Sequence, residues 1–586
     1  MWETGFVLSL CAVALFVLVA ALFRNKLKPF YVLFAGVLVT ATIAFYPACY
    51  LLVSEGAGRG ATAVLYAFVN AMRIFAIGSE DELLVGITCE EAGDFWVVYR
   101  VLLVALMVIA PFFTFGFAVS LFKNFSAQLR LSLLWNRDAY VFSQLNERSL
   151  LLATDIRKNH PKAAIAFGSV SAESSQELAE RAEKLGAILF SKGVVEIGFK
   201  LYSPKRQLRF FAIAEDPAEN LERTVELVET YKTRDNTHVY LFSGETESEM
   251  LLSAMDKGKV KVRRINEVRS LVNRLLYEQG NVLFDSAKAG VDGNKHICAV
   301  VVGMGRYGTE VVKALTWFGQ MDGYVLDIHV FDKDPQAEAR FMALAPELMR
   351  KEFNGTNIPG EAQYSITVNG GVDVKSAEFV RRIQALEDAT YVVVALGADS
   401  ANIDTAVDLR TYFAQVDCTP VINAIVHNSH QKTVLTGIKN YRGQSYDITF
   451  IGDLETACSE AVLLNSELEE DALRRHLKWG KEEEFWTYEY NYRSSVASAI
   501  HMKARIHCGI PGANKKEGEL TVEERDIIEV LEHRRWNAYM RTEGYVYSGS
   551  RDKASRNDLA KRHHDLVPFA ALSEEDKRKD SKVGTN

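Results

Sequence analysis

Cysteine is sparse in this chain. Seven are scattered among 586 residues, with no pair at metal-ligand or redox spacing, so free and mostly buried thiols are expected. A surplus of positive charge is also missing, and a formal charge of −8 argues against a general nucleic-acid binder. No Ser-His-Asp set, carboxylate pair or metal-hydrolase pattern occurs. The C-terminal histidines His501, His507, His533, His563 and His564 lack ligand spacing. His507-Cys508 and His563-His564 are adjacent rather than one helical turn apart, so they are not expected to face one ligand and no metal is expected. A basic leader is absent too, since Met1–Gly5 carries only Glu3, which favours a retained first helix over a cleaved signal.

Charge of either sign is missing from three runs, Gly5–Phe23, Pro29–Val53 and Val101–Phe122. Each is near or above the roughly 20 residues a helix needs to cross hydrocarbon. The overall composition, 48% hydrophobic and 24% charged, conceals this N-terminal block. A fourth segment, Ala61–Ile77, is apolar but holds Asn70 and Arg73 and is flanked by glycines, among them Gly78. Basic residues follow the first run (Arg24, Lys26, Lys28) and the last (Lys123, Arg130, Arg137). The positive-inside rule puts both stretches in the cytosol. Three crossings plus a re-entrant or interfacial helix at 61–77 satisfy it, with the N-terminus outside. The expected organisation is a multi-pass membrane domain (1–135) in the inner (plasma) membrane with a large cytosolic C-terminal part.

From Asp138 onward short β-rich runs alternate with helical ones, the signature of parallel α/β sheets. Strands are expected at 139–143, 163–170, 187–191, 209–214, 238–243 and 260–264, closing a first unit (136–280). A second unit (295–465) opens with the apolar run His296–Val302 and continues through 324–331, 365–368, 391–396, 421–425 and 448–451. The fold class is thus an α-helical transmembrane block, tandem Rossmann-like α/β domains and a small helical C-terminal part (466–582). Strands stop beyond Glu467, and the charged last dozen residues are expected to be disordered.

One motif carries most of the chemistry. Val302 is followed by Gly303-Met304-Gly305-Arg306-Tyr307-Gly308 and a helix, the context in which a glycine triplet reads as a phosphate loop. Gly303 takes the tight turn, Gly305 lets backbone approach a diphosphate, and Gly308 allows close helix–strand packing. Asp332, 24 residues beyond Gly308, is placed for a ribose hydroxyl, and Arg306 adds charge near the phosphates. The expected cofactor is NAD(H) or another adenine nucleotide. The first unit has Ser143-Gln-Leu-Asn146-Glu147-Arg148-Ser149 at this position, with no glycine, so no ligand is expected there.

A short membrane block followed by paired Rossmann units resembles potassium channels and transporters with regulator-of-conductance (RCK, TrkA-N-like) domains. The resemblance spans roughly residues 60–465 and rests on Gly303, Gly305, Gly308, Asp332 and the domain order. It implies an oligomer, dimer or tetramer, with a pore helix and filter before the last span. Tyr66–Phe75 is similar to a pore helix, making Asn70, Arg73 and Gly78 pore candidates. The single glycine in 76–81 is not a filter, so the ion is unassigned.

The C-terminal part resembles the RyR domain of ryanodine receptors and many bacterial proteins, over Leu531–Lys582. The matching signs are the Trp536 helix, the Gly544-Tyr545 turn, a basic loop, and Leu566-Val567-Pro568-Phe569 before an acidic helix. Tyr545 stands where the family usually has tryptophan. The resemblance implies a sensor of adenine-containing nucleotides: Trp536, Tyr545 and Tyr547 to stack a base, Arg551 and Lys553 to meet phosphates. Together these readings point to a nucleotide-gated, channel-like membrane protein, similar to bacterial antiviral effectors that perturb the membrane. The alternatives are a membrane-bound NAD(P)-dependent oxidoreductase, for which no Tyr-Lys or His-Asp set is present, and a non-conducting nucleotide-binding scaffold.

Overall fold

The computed structural model describes all residues except Met1, 23–28, 57, 76–100, 103, 112–125, 172–174, 200–201, 245–246, 350–362, 437–439, 442–443, 446–447, 465 and Asn586. Gly78, with the rest of the 76–81 stretch, and all of 112–125 therefore lie outside the described residues. The chain forms two compact units, Met1–Leu129 and Arg130–Asn586.

In the first unit, helices Trp2–Leu22, Pro29–Leu52 and Arg59–Phe75 are built from residues with almost no polar face. Ala41, Ala44 and Ala48 on one helix and Ala63, Ala67 and Ala71 on the next are buried together. Such small side chains let helix backbones approach closely where no aqueous hydrophobic drive exists. Asn70 is buried in this seam and donates to Tyr66 O at 3.0 Å and Cys49 Sγ at 3.7 Å, while Arg73 is exposed. Residues 61–77 are thus largely one helix with an alanine-rich buried face and outward Leu65, Phe68 and Val69. Among the described residues one helical stretch, Phe34–Leu52, is long and apolar enough to cross a membrane.

The second unit contains two parallel sheets. Strands β1 (Ala139–Phe142), β2 (Ala164–Phe167), β3 (Ile188–Leu189), β4 (Leu208–Ala212), β5 (Thr237–Phe242) and β6 (Lys261–Ile265) order as β3-β2-β1-β4-β5-β6. After a two-residue strand β7 (Lys288–Ala289) come β8 (Lys295–Val302), β9 (Tyr324–Asp332), β10 (Tyr364–Gly370), β11 (Ala389–Val394) and β12 (Val421–Ile425). A small hairpin of β13 (Asn440–Tyr441) and β14 (Gln444–Ser445) precedes β15 (Ile448–Ile451). Their order, β10-β9-β8-β11-β12-β15, repeats the first, and both follow the doubly wound dinucleotide-binding pattern.

A matching asparagine stitches neighbouring strand ends in each sheet, β4 to β5 in the first and β11 to β12 in the second. Asn220 accepts from Ala214 N (2.6 Å) and donates to Phe242 O (3.0 Å). Asn402 accepts from Leu396 N (2.6 Å) and donates to Ile425 O (2.7 Å). Both are almost fully buried, so these bonds satisfy polar atoms that would otherwise be costly to bury.

The C-terminal region is mainly helical: Ser466–His476, Glu489–His507, Val522–Thr542 and Glu574–Gly584 are its longer helices. Two observations correct the sequence expectations. Strands do recur, as the short parallel pair β16 (Val546–Tyr547) and β17 (Arg562–His563). The charged end is ordered, because Ser573 caps its helix and Arg475 donates to Val583 O and Thr585 O at 2.9 and 3.1 Å. Charge alone predicted solvation; buried guanidinium donors hold the segment instead.

Candidate nucleotide sites

The glycine loop closes β8 at the switch point between β8 and β11. Gly303 has φ +94°, and a Cβ there would lie 2.4 Å from Ala395 O just past β11. Gly308 would place a Cβ 1.8 Å from Gly303 O, so the helix Arg306–Phe318 is packed hard onto the turn. A Cβ on Gly305 would meet nothing within 4 Å. This is the space a diphosphate needs, beside free amides at a helix N-terminus.

Asp332 ends β9 and accepts from Met304 N at 2.6 Å and from Asp334 N at 2.7 Å. Each carboxylate oxygen keeps a lone pair, so one group can order the loop and still accept from a ribose hydroxyl. The loop residues therefore fit a dinucleotide. Arg306 is exposed at the mouth. Tyr307 packs against the first unit's core and edge-on to His427, 5.4 Å between centroids. Burial pushes its hydroxyl up to about 12. Tyr307 thus anchors the loop to the neighbouring unit.

The equivalent crevice of the first unit is filled by its own side chains. Asn146 caps the helix Glu147–Asn159 and donates to Ile213 O at 2.7 Å, and Ser143 Oγ accepts from Ile213 N at 3.0 Å. Arg148 reaches Glu267 at 3.1 Å and Ala214 O at 3.3 Å. By strand register Gly168 occupies the place of Asp332, so the ribose acceptor is missing as well.

A lattice of ion pairs runs from the glycine-loop helix into the C-terminal helices. Glu310 pairs with Arg269 (2.9 Å), Arg269 with Glu543 (3.3 Å), and Glu543 with Arg493 (2.6 Å). Trp317 of the same helix meets Tyr539 edge-on at 6.2 Å. Burial opposes ionisation of Glu543, but Arg269 and Arg493 hold its carboxyl far below the usual range.

A cavity of about 620 Å³ opens within the C-terminal region. Of the five residues expected to bind there, Trp536 and Lys553 line it. Tyr545 lies in the main core with its hydroxyl 3.4 Å from Asp558. Tyr547 packs beside that core and its N–H donates to Glu347. Arg551 stands behind the wall, held by Asp565 at 2.7 Å. Residues outside the expected motif complete the lining, among them Tyr490, Asn491, Ser495, Arg535, Arg556 and Lys579.

No family model and no curated protein matches this chain.

The adjacent histidines behave differently from their spacing in sequence. The ligand atoms of His563, His564 and Asp565 lie within 4.8 Å of one another, and the two imidazoles stack 4.7 Å apart. The chain leaves β17 at His563, so helical spacing does not govern which way these rings face. Burial, then the Arg556 charge, pushes His563 down to about 3. The carboxylates of Asp565 and Asp576 partly offset the charges of Arg551 and Arg556 around this pair.

Proposed function

We propose that this chain is a nucleotide-gated, channel-like protein of the inner (plasma) membrane, working as a homo-oligomer. The observation that carries the reading is the glycine loop at the β8–β11 switch point, with Gly305 open to a diphosphate and Asp332 beside it. NAD(H) or another adenine nucleotide is its ligand, and a signal nucleotide is the second, in the C-terminal region. The apolar stretch Phe34–Leu52 and the outward leucines and valines of Arg59–Phe75 support insertion of the N-terminal unit in a bilayer.

The ion lattice Glu310–Arg269–Glu543–Arg493 supports communication between the two nucleotide sites, since it joins the glycine-loop helix to the helix bearing Trp536. Gating requires a ligand that prefers one of two states; tight binding to both shifts nothing. Such a protein suits a membrane effector that acts on command, including antiviral defence.

The test is ion flux from liposomes containing the purified full-length protein, with NAD, NADH and ATP added outside and inside. Nucleotide-dependent flux is expected. Hydride transfer from NADH without flux would replace this reading by the oxidoreductase, and binding with neither by the scaffold.

A further inference from the structure

The wall of the C-terminal cavity is unusual in its charge and its polar atoms. Seven lysine and arginine side chains line it against four carboxylates. Three of the cations, Arg475, Lys478 and Lys582, meet no carboxylate at ion-pair distance among the described residues. Arg475 donates to Thr585 O, Val583 O and Ser498 Oγ, and Lys478 to Thr585 O at 2.8 Å. Burial pulls Arg475 down to about 10, and burial with the Arg475 charge pulls Lys478 down to about 8. In both, burial outweighs the attraction of the more distant carboxylates, among them Glu532.

Further atoms of the wall residues with no hydrogen-bond partner among the described residues include Arg535 Nη1, Asn491 Oδ1 and Ser495 Oγ. All three side chains belong to residues at most 3% exposed. A buried polar atom left unmade costs about 1–3 kcal/mol, so native proteins keep few of them without a use. Arg535 is fixed by Glu532, at 2.7 and 3.2 Å, which leaves its third nitrogen as the spare donor. Flat surfaces are present as well. Trp536 stands edge-on to His563 at 4.9 Å, and Tyr490 lies under the Arg556 guanidinium at 5.1 Å. The volume falls in the roughly 300–1,000 Å³ range of small-molecule sites.

We propose that this cavity binds a phosphorylated compound with a flat aromatic ring, of the nucleoside polyphosphate class. Trp536 and Tyr490 take the ring, and Arg535, Lys478 and Lys579 the phosphates. The assignment deepens the second-ligand reading given above and is independent of the glycine loop. Its determinants are largely different from the aromatic and basic residues of the 545–553 stretch. Most of them come from the helices Glu489–His507 and Val522–Thr542 and from the ordered C-terminal segment.

The experiment uses full-length protein in detergent carrying Gly305→Val, which closes the glycine loop to diphosphate. ATP, adenosine and inorganic triphosphate are titrated by calorimetry. One ATP per chain is expected, with adenosine and triphosphate each bound at least tenfold more weakly. Lys579→Gln with Lys582→Gln, both at exposed positions, lowers ATP affinity at least tenfold at unchanged melting temperature. Ser495→Phe, which fills the cavity, abolishes binding. The proposal is overturned if ATP does not bind, if its affinity is the same in all variants, or if adenosine or triphosphate binds as tightly as ATP. Failure of the glycine-loop reading shows separately, as unchanged NAD affinity between wild type and Gly305→Val.

Discussion

The two α/β units share strand order, parallel pairing and a buried asparagine joining their fourth and fifth strands, yet only one has an open turn after its first strand. In the second unit the space beside Gly305 is open, while Gly303 and Gly308 allow the tight packing of the turn around it. In the first, Ser143, Asn146 and Arg148 fill that space and bond to the chain beyond β4. The same architecture thus supports either a ligand crevice or a self-sealed joint. The choice depends on a few side chains at one turn, because a crevice at the strand ends must be occupied by something polar. The sealed unit gains a helix cap and an ion pair; the open one keeps room beside Gly305.

The sharpest way to break this comparison is Gly308→Val. Its Cβ would sit 1.8 Å from Gly303 O, an overlap that only backbone movement can relieve. A loss of about 4 kcal/mol or more is expected in denaturant unfolding, and wild-type stability would show that the turn is not tightly packed. Gly305→Val should leave unfolding unchanged while weakening NAD binding about 100-fold, roughly 2.7 kcal/mol. Equal affinity in calorimetry would remove the diphosphate from this loop.

Asn146→Ala tests the sealed turn. It removes a cap and the bond to Ile213 O and should cost about 1–2 kcal/mol, with no nucleotide bound in return. Appearance of a new NAD site would mean that the first crevice is merely plugged.

The smallest expected effect is on acid tolerance. Burial, then Arg209, pushes His238 on β5 down to about 3. The folded first unit therefore binds fewer protons than the unfolded chain between that value and the ordinary histidine range near 6.5. Its stability is full above about pH 6.5 and falls as pH drops toward 3. His238→Phe should recover part of the stability lost between pH 8 and pH 5. An identical pH profile in the variant would show that His238 is charged in the folded protein.

Much of the sheet architecture was legible in the chain because its strands are short apolar runs buried on both faces, such as Ile297–Val302 and Tyr391–Val394. The glycine loop was legible for a related reason: a left-handed turn and a helix pressed onto it demand glycine at fixed spacing. Helices such as Glu147–Asn159 and Ser429–Thr436 were harder to read, being largely polar outside the faces that pack. The C-terminal cavity was legible only through Trp536 and Lys553. Tyr545 and Tyr547 looked like ligand contacts because aromatics beside a basic loop suit either a core or a site, and packing sent both toward the core.

Local sequence by itself determined where strands, caps and the phosphate-type turn form, since those depend on backbone conformation and on nearest-neighbour hydrophobic pattern. Only the tertiary structure decided which helices are tied together by Arg269 and Arg493. It also decided that Asn491, Ser495, Arg535 and the final turns of the chain share one cavity wall. The physical reason is that charge neutralisation and cavity shape depend on groups brought together from distant parts of the chain, and no local pattern records their meeting.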